Sequence, residues 1–355
     1  MTNKHLVIMA AGTGGHVIPG IAVAQEMQRR GWTVSWLGTQ TGMENQLVPP
    51  TGIPMDTIAF NGLRGKNLVQ TALGGLRLLR AFWDCLGILR KRATTAVLGM
   101  GGYVCFPGGL MGSLLGKPLV LVNADAGLLL SNKALLPVAD RVCFGFEGGS
   151  QGVKQALVTG NPVREAVEQL PPPAQRFAGR SGPLRVLVVG GSLGAKVLNE
   201  TLPAALARLT DKPQVVHQTG KAHLDTVQAD YAARGLQAEV RPFIIDMATE
   251  LAAADLVICR AGAITVSELC AAGVASVLVP LVVSTTAHQR ENAAYMERAS
   301  AAIHLPQAEC TPEKLAELLG RMSREKCLRL ATEARALARP NAAVRVADEI
   351  EKLLK

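Results

Sequence analysis

Leu6-Val7-Ile8-Met9-Ala10-Ala11-Gly12-Thr13-Gly14-Gly15-His16 and Arg185-Val186-Leu187-Val188-Val189-Gly190-Gly191-Ser192-Leu193-Gly194-Ala195 decide the reading of this chain. Each is a short run of apolar, β-prone residues that passes directly into a glycine-rich turn. A strand running through glycines into a helix exposes backbone N–H groups at the helix N-terminus, where partial positive charge favours phosphate. One such turn would mean little. Two, about half a chain apart, imply two similar α/β domains facing one cleft, each able to hold an anionic group.

Outward from these turns, strand-like runs alternate with helical ones. The first series comprises Leu6 to Met9, a helix from Pro19 to Arg30 closed by Gly31, Thr33 to Leu37, Met55 to Phe60, a basic helix, Ala96 to Met100, Leu119 to Asn123 and Arg141 to Phe144. The alternation breaks at Leu170-Pro171-Pro172-Pro173 through Gly182-Pro183, which reads as a linker. It restarts with Arg185 to Val189, Gln214 to His217, Glu239 to Phe243, Leu256 to Cys259, Ser276 to Pro280 and Ala302 to Leu305, followed by three helices. Repeated βα units predict mostly parallel, doubly wound sheets, and 355 residues exceed one ordinary domain. Aromatic residues make up only 4% of the chain against 36 glycines, which suits helices packed closely on a parallel sheet better than an all-β core.

Seven cysteines without a C-x-x-C pair point to reduced thiols and neither a disulfide framework nor a zinc site. No secretory leader is read at the N-terminus, where Lys4 and His5 precede only a few apolar residues. Two uncharged runs, Ala93 to Gly116 and Leu269 to Ala287, reach the length of a bilayer crossing. Their internal Gly and Pro residues instead read as strand, turn and helix.

The net charge of +9 is concentrated. Arg64, Lys66, Arg77, Arg80, Arg90, Lys91 and Arg92 stand against the single acid Asp84, while Leu76, Leu79, Trp83 and Leu86 follow helical spacing. A basic amphipathic helix with a Trp suits an anionic phospholipid surface. The same periodicity also fits an ordinary helix packing its stripe on a sheet. Nucleic acid is disfavoured, because the basic residues are not interleaved with aromatics and no recognition motif is present.

Neither turn completes a dinucleotide fingerprint. Gly12 and Gly14 are followed by Val17 at the third glycine position, and no carboxylate ends the second strand of either series, Trp36-Leu37-Gly38-Thr39 or His217-Gln218-Thr219. The richest segment is Cys259-Arg260-Ala261-Gly262-Ala263-Ile264-Thr265-Val266-Ser267-Glu268. Its small residues allow close backbone approach where a helix opens at Ala263, so a diphosphate could rest there while Glu268 accepts hydrogen bonds from ribose hydroxyls. A helix whose early acid merely complements the dipole is the plainer alternative.

These residues resemble a known family along nearly the whole chain. G-T-G-G-H-V-x-P-G near the N-terminus, L-G-M-G-G-Y-V at 98–104, G-N-P-V-R at 160–164, G-G-S-x-G-A at 190–195 and C-R-x-G-A-x-T-V-S-E at 259–268 are similar to the MurG family of bacterial UDP-N-acetylglucosamine transferases. The resemblance implies a GT-B fold: an acceptor and membrane-associating domain at 1–163, with a terminal helix at 341–355 packing back on it, and a donor domain at 164–340. It implies transfer of GlcNAc from UDP-GlcNAc to undecaprenyl-diphospho-N-acetylmuramoyl-pentapeptide, lipid I becoming lipid II. The enzyme would sit peripherally on the cytoplasmic face of the inner membrane, beside other cell-wall synthesis proteins.

Carried over residue by residue, the resemblance puts the donor on Arg164, Ser192, Ile244, Ala263, Ile264, Thr265, Val266, Ser267, Glu268, His288, Gln289 and Asn292. Ile244 would present backbone groups to uracil. Thr13, Gly14 and Gly15, counted with the donor-binding residues, would line the cleft from the acceptor side together with His16, the candidate general base. Arg77, Arg80, Trp83, Arg90, Lys91 and Arg92 would touch the membrane. Two departures stand out. The family's H-E-Q-N is here Val122-Asn123-Ala124-Asp125, so that an amide contact falls to Asp125 or Asn123, and Asp125 becomes a second candidate base; the loop Val282 to Ala287 lacks the usual His and Asp.

The expected reaction is one inverting displacement by the muramoyl 4-hydroxyl, which needs a base on the acceptor and stabilisation of departing UDP. With no Asp-x-Asp pair, no metal or other cofactor is expected, and helix N–H groups with Ser192 and Thr265 would neutralise the diphosphate. Imidazole ordinarily exchanges a proton near neutral pH, which favours His16 as base; a hydrogen bond from His16 to the acceptor diphosphate or the glycine loop fits equally. A UDP-GlcNAc 2-epimerase of the same architecture and a non-catalytic nucleotide-sugar-binding module are the alternatives. The basic helix argues against the first, and a dispensable His16 would mark the second.

Overall fold

Along β1 (His5–Ala10) successive side chains go to opposite faces of a sheet, Leu6, Ile8 and Ala10 into one apolar cluster and Val7 and Met9 into another. All five are fully buried, as happens where a parallel sheet is covered by helices on both faces. The computed structural model describes residues 4–60, 68–191, 193–281 and 287–354. The chain forms two compact units, Met1–Val163 with Asn341–Lys355, and Arg164–Pro340.

In the first unit β1 is joined by β2 (Thr33–Thr39), β3 (Met55–Ile58), β4 (Ala96–Gly101), β5 (Leu119–Asn123), β6 (Arg141–Phe144) and β7 (Ala156–Val158). Their order is β3-β2-β1-β4-β5-β6-β7, parallel throughout. The helices are α1 (Gly14–Arg29), α2 (Glu44–Leu47), α3 (Leu68–Lys91), α4 (Cys105–Leu114) and α5 (Leu130–Leu135). α1 begins five residues before the expected Pro19, and Pro19 lies inside it. The carbonyl that proline leaves without a donor belongs to Gly15, which is exposed and can turn to water.

The second unit repeats the plan with β8 (Arg185–Val189), β9 (Gln214–Gln218), β10 (Glu239–Arg241), β11 (Leu256–Cys259), β12 (Ala275–Leu278) and β13 (Ile303–His304), ordered β10-β9-β8-β11-β12-β13 and again parallel. Its helices are α6 (Glu165–Glu168), α7 (Pro173–Phe177), α8 (Lys196–Ala207), α9 (Leu224–Ala233), α10 (Met247–Ala253), α11 (Ala263–Ala272), α12 (Ala287–Arg298), α13 (Pro312–Gly320) and α14 (Arg324–Ala336). The proline-rich stretch 170–183, expected as a linker, is packed onto this unit. Phe177 belongs to its core, and the Arg176 guanidinium donates to the carbonyls of Leu251, Ala252, Ala272 and Gly273 at the ends of α10 and α11. Proline here stiffens the chain without freeing it.

The last helix, α15 (Ala342–Lys352), returns to the first unit. Val346, Ala347 and Ile350 are fully buried beside α1, while Arg30 bonds Asp348 and Glu351 and Arg345 donates twice to the carbonyl of Thr159. Among the described residues no helix is long and apolar enough to cross a membrane. The two uncharged runs resolve into β4 with α4, and into the end of α11 with β12.

Candidate functional site

Ligands of open parallel sheets gather outside the carboxyl ends of the strands where the strand order reverses. In the second unit that point lies between β8 and β11, and the two singled-out turns follow those strands. α11 opens on Gly262 in extended backbone, with neither a side-chain cap nor an acid in its first turn. The Val266 N–H is used on the Gly262 carbonyl, so the N–H groups of Ala263, Ile264 and Thr265 are those the helix cannot satisfy itself. Ala263, Ile264 and Val266 bury their side chains and can offer a ligand backbone only. Thr265 is half-buried, and the Ser267 hydroxyl donates to the Ala263 carbonyl.

Glu268, 8% exposed, forms an ion pair with Arg164 at the start of α6. Burial pushes its carboxyl above the ordinary range, and the guanidinium opposes that push. Two residues 104 positions apart in sequence are thus joined beside the helix that would hold a diphosphate.

Other expected contacts are turned elsewhere. Ile244 is buried and its N–H is engaged by the Gln218 side chain, so that N–H is not on offer to a ligand. Asn292 is fully buried and donates to the Ala261 carbonyl, so it supports the loop before α11; a sugar would need an exposed amide. Gln289 accepts from the Leu281 N–H, and His288 beside it is half-buried. Ser192 and residues 282–286 lie outside the described residues.

In the first unit the reversal falls between β1 and β4, at the turn Ala11–Thr13. α1 starts after Thr13 with no side-chain cap and no acid in its first turn, which presents Gly14 and Gly15 as an anion-accepting N-terminus. His16 places Nδ1 3.1 Å from the Ala11 carbonyl. A carbonyl only accepts, so Nδ1 carries the proton of the neutral ring and Nε2 keeps its lone pair. Gly101, at φ +122°, makes room for this ring: a Cβ there would lie 2.5 Å from His16 Cδ2.

Asn123 is not available to a sugar. It is fully buried and donates to the carbonyls of Asp125 and Gly127 while accepting from the Leu129 N–H and from Asn132, which ties down the loop after β5. Asp125, half-buried, heads that loop.

α3 turns its expected stripe outward. Leu76, Leu79 and Trp83 are 64%, 58% and 73% exposed, and Leu86 is half-buried. The packed stripe is Ala81, Cys85 and Leu89. Arg77, Arg80, Arg90 and Lys91 are exposed on the same helix. Arg92, expected with them, bonds Asp56 of β3 at 2.7 Å and serves to hold the helix end on the sheet.

Two further residues shape the turns. Glu44, fully buried in α2, accepts from the Gly12 N–H at 3.0 Å and from the N–H and hydroxyl of Thr39. Gln218, at the end of β9, bonds Gly191 and Ile244. The only sequence signal was negative, namely the missing carboxylate at the end of each second strand.

Two family models match most of the chain. Residues 6–144 match the glycosyltransferase family 28 N-terminal domain and residues 185–350 its C-terminal domain. The chain is 68% identical to the UDP-N-acetylglucosamine--N-acetylmuramyl-(pentapeptide) pyrophosphoryl-undecaprenol N-acetylglucosamine transferase of Methylibium petroleiphilum over 100% of this chain and 99% of that one. It is 61% identical to the like-named protein of Chromobacterium violaceum over 99% of each. The crystal structure of Acinetobacter baumannii MurG superposes with a TM-score of 0.81 at 39% identity, covering 98% of this chain and 99% of that one. Paired doubly wound sheets, two uncapped helix N-termini at their reversal points and full-length likeness converge: this chain belongs to glycosyltransferase family 28 and, within it, to the MurG family, with the GT-B fold.

Proposed function

We propose that the protein transfers N-acetylglucosamine from UDP-GlcNAc to the 4-hydroxyl of undecaprenyl-diphospho-N-acetylmuramoyl-pentapeptide, the step that completes the lipid-linked disaccharide for peptidoglycan. The observation that carries the donor half is the uncapped N-terminus of α11 with the buried Glu268, paired to the half-buried Arg164, beside it. Diphosphate oxygens accept from the first N–H groups of α11 and from Ser192 and Thr265; Glu268 receives the ribose hydroxyls, and the Ile244 carbonyl receives the uracil N–H. On the acceptor side His16 Nε2 takes the 4-hydroxyl proton as that oxygen attacks the anomeric carbon from the face opposite UDP, and the C1–O bond to the diphosphate breaks with inversion to a β-linkage. Fixed helix N–H groups stabilise the departing charge, so no metal is called for.

The outward Leu76, Leu79 and Trp83 of α3, ringed by Arg77, Arg80, Arg90 and Lys91, suit an anionic bilayer, which would keep the enzyme peripheral on the cytoplasmic membrane face beside its lipid substrate and other cell-wall synthesis proteins. The test is to incubate the protein with radiolabelled UDP-GlcNAc and a lipid I analogue, with and without EDTA. Label should enter the lipid phase in both. Label confined to an isomerised nucleotide sugar would overturn the reading, and loss with EDTA restored by Mg²⁺ would overturn its metal-free part.

A further inference from the structure

Gln218 is 2% exposed and engaged at both ends of its amide: Nε2 donates to the Gly191 carbonyl at 2.8 Å, and Oε1 accepts from the Ile244 N–H at 2.9 Å. Gly191 stands in the turn after β8 and Ile244 in the loop after β10, the strands on either side of β9. Between β9 and β10 the backbone pairing ends with the Thr219 N–H on the Arg241 carbonyl. The Gln218 amide carries the connection one step further in both directions, into loops that have left the sheet.

The neighbouring residues hold this junction from the opposite face. His217 Nε2 donates to Asn199 Oδ1, whose Nδ2 donates to the Thr219 carbonyl, while His217 Nδ1 accepts from the Tyr231 hydroxyl. At Gly194, with φ +78°, a Cβ would sit 1.8 Å from the Thr219 oxygen, so the turn after β8 lies directly on the end of β9.

Only an amide suits both partners of Gln218. A carboxylate would accept from Ile244 but set an oxygen against the Gly191 carbonyl, and an aliphatic chain would leave two buried backbone groups unpaired. This is the strand end at which a dinucleotide-binding sheet places the acid that reads ribose.

We propose that Gln218 is a positioning residue for the donor, a clamp that sets the span between the turn facing the diphosphate and the backbone facing the base. The proposal rests on the donor reading given above. A ligand reaching both loops gains from their being held at one spacing, whereas a fragment touching one loop does not.

The experiment compares wild type, Gln218→Leu and Gln218→Glu in the full-length protein, by steady-state kinetics with UDP-GlcNAc and by calorimetry with UDP and with uridine. KM for UDP-GlcNAc and Kd for UDP should rise about tenfold to a hundredfold in both variants, with kcat within about threefold and uridine affinity within about threefold of wild type. A merely structural role would lower the melting temperature and the active fraction, so that kcat falls while KM stays. That pattern would overturn the proposal, as would equal losses for uridine and UDP. Should Gln218→Leu not fold, the near-isosteric Gln218→Glu decides alone. Failure of the wild type itself to bind UDP would overturn the donor reading instead.

Discussion

An imidazole whose Nδ1–H donates a hydrogen bond to a carbonyl is set in one tautomer before any substrate arrives, and in His16 that leaves Nε2 ready to accept. His16→Ala should therefore lose about 10² to 10⁴ in kcat with UDP affinity preserved, as steady-state kinetics and calorimetry can read. An unchanged kcat would move the base to Asp125. Gly101→Ala offers an independent check, since the new methyl group must displace the His16 ring; kcat should fall in a protein that still binds UDP. At the donor, Glu268→Ala should weaken UDP about tenfold to a hundredfold by calorimetry. Its loss also leaves Arg164 without its carboxylate partner. The glycine turns and Glu268 were legible because helix N-termini and small residues leave a local pattern. The engagements of Asn123, Ile244 and Asn292 were not, because each depends on partners that only the fold brings within reach.

Helical periodicity revealed α3 but not which of its two apolar stripes is buried. The small residues Ala81 and Cys85 let the helix approach the sheet, and the bulkier Leu76, Leu79 and Trp83 are left outside. Trp83→Glu should weaken binding to vesicles containing phosphatidylglycerol without altering the melting temperature, because an exposed substitution disturbs no core. Wild-type vesicle binding should weaken as salt screens Arg77, Arg80, Arg90 and Lys91; cosedimentation over a salt series reads both effects. At the other sheet, burial draws the His217 imidazole down to about 4. Its folded-state value lies below the unfolded one near 6.5, so the neutral ring's contribution is present in full above pH 6.5 and lost as pH falls toward 4. Between pH 7 and 4.5 the urea stability of the second unit should drop by about 2 to 3 kcal/mol through this group, and His217→Gln should remove that part of the slope.

Across the whole molecule the βα alternation made both sheets readable, down to β5, β6, β8 and β11 at the expected boundaries. The stretch 170–183 misled because proline and glycine mark turns wherever they occur, and nothing in composition tells a free turn from one pinned by Arg176. α15 is an integral part of the first unit: Val346, Ala347 and Ile350 fill its core, and Arg141 and Arg30 bond its acids. Removal of residues 341–355 should abolish the first unit's cooperative melting transition while the second unit still melts, as calorimetry can resolve. Because that helix is translated after the second unit, residues 1–163 leave the ribosome without the piece that closes their own core, and wait while all of residues 164–340 are made. At ordinary elongation speeds this lasts roughly 10 to 35 s, during which the face of the first unit that the helix covers stays open.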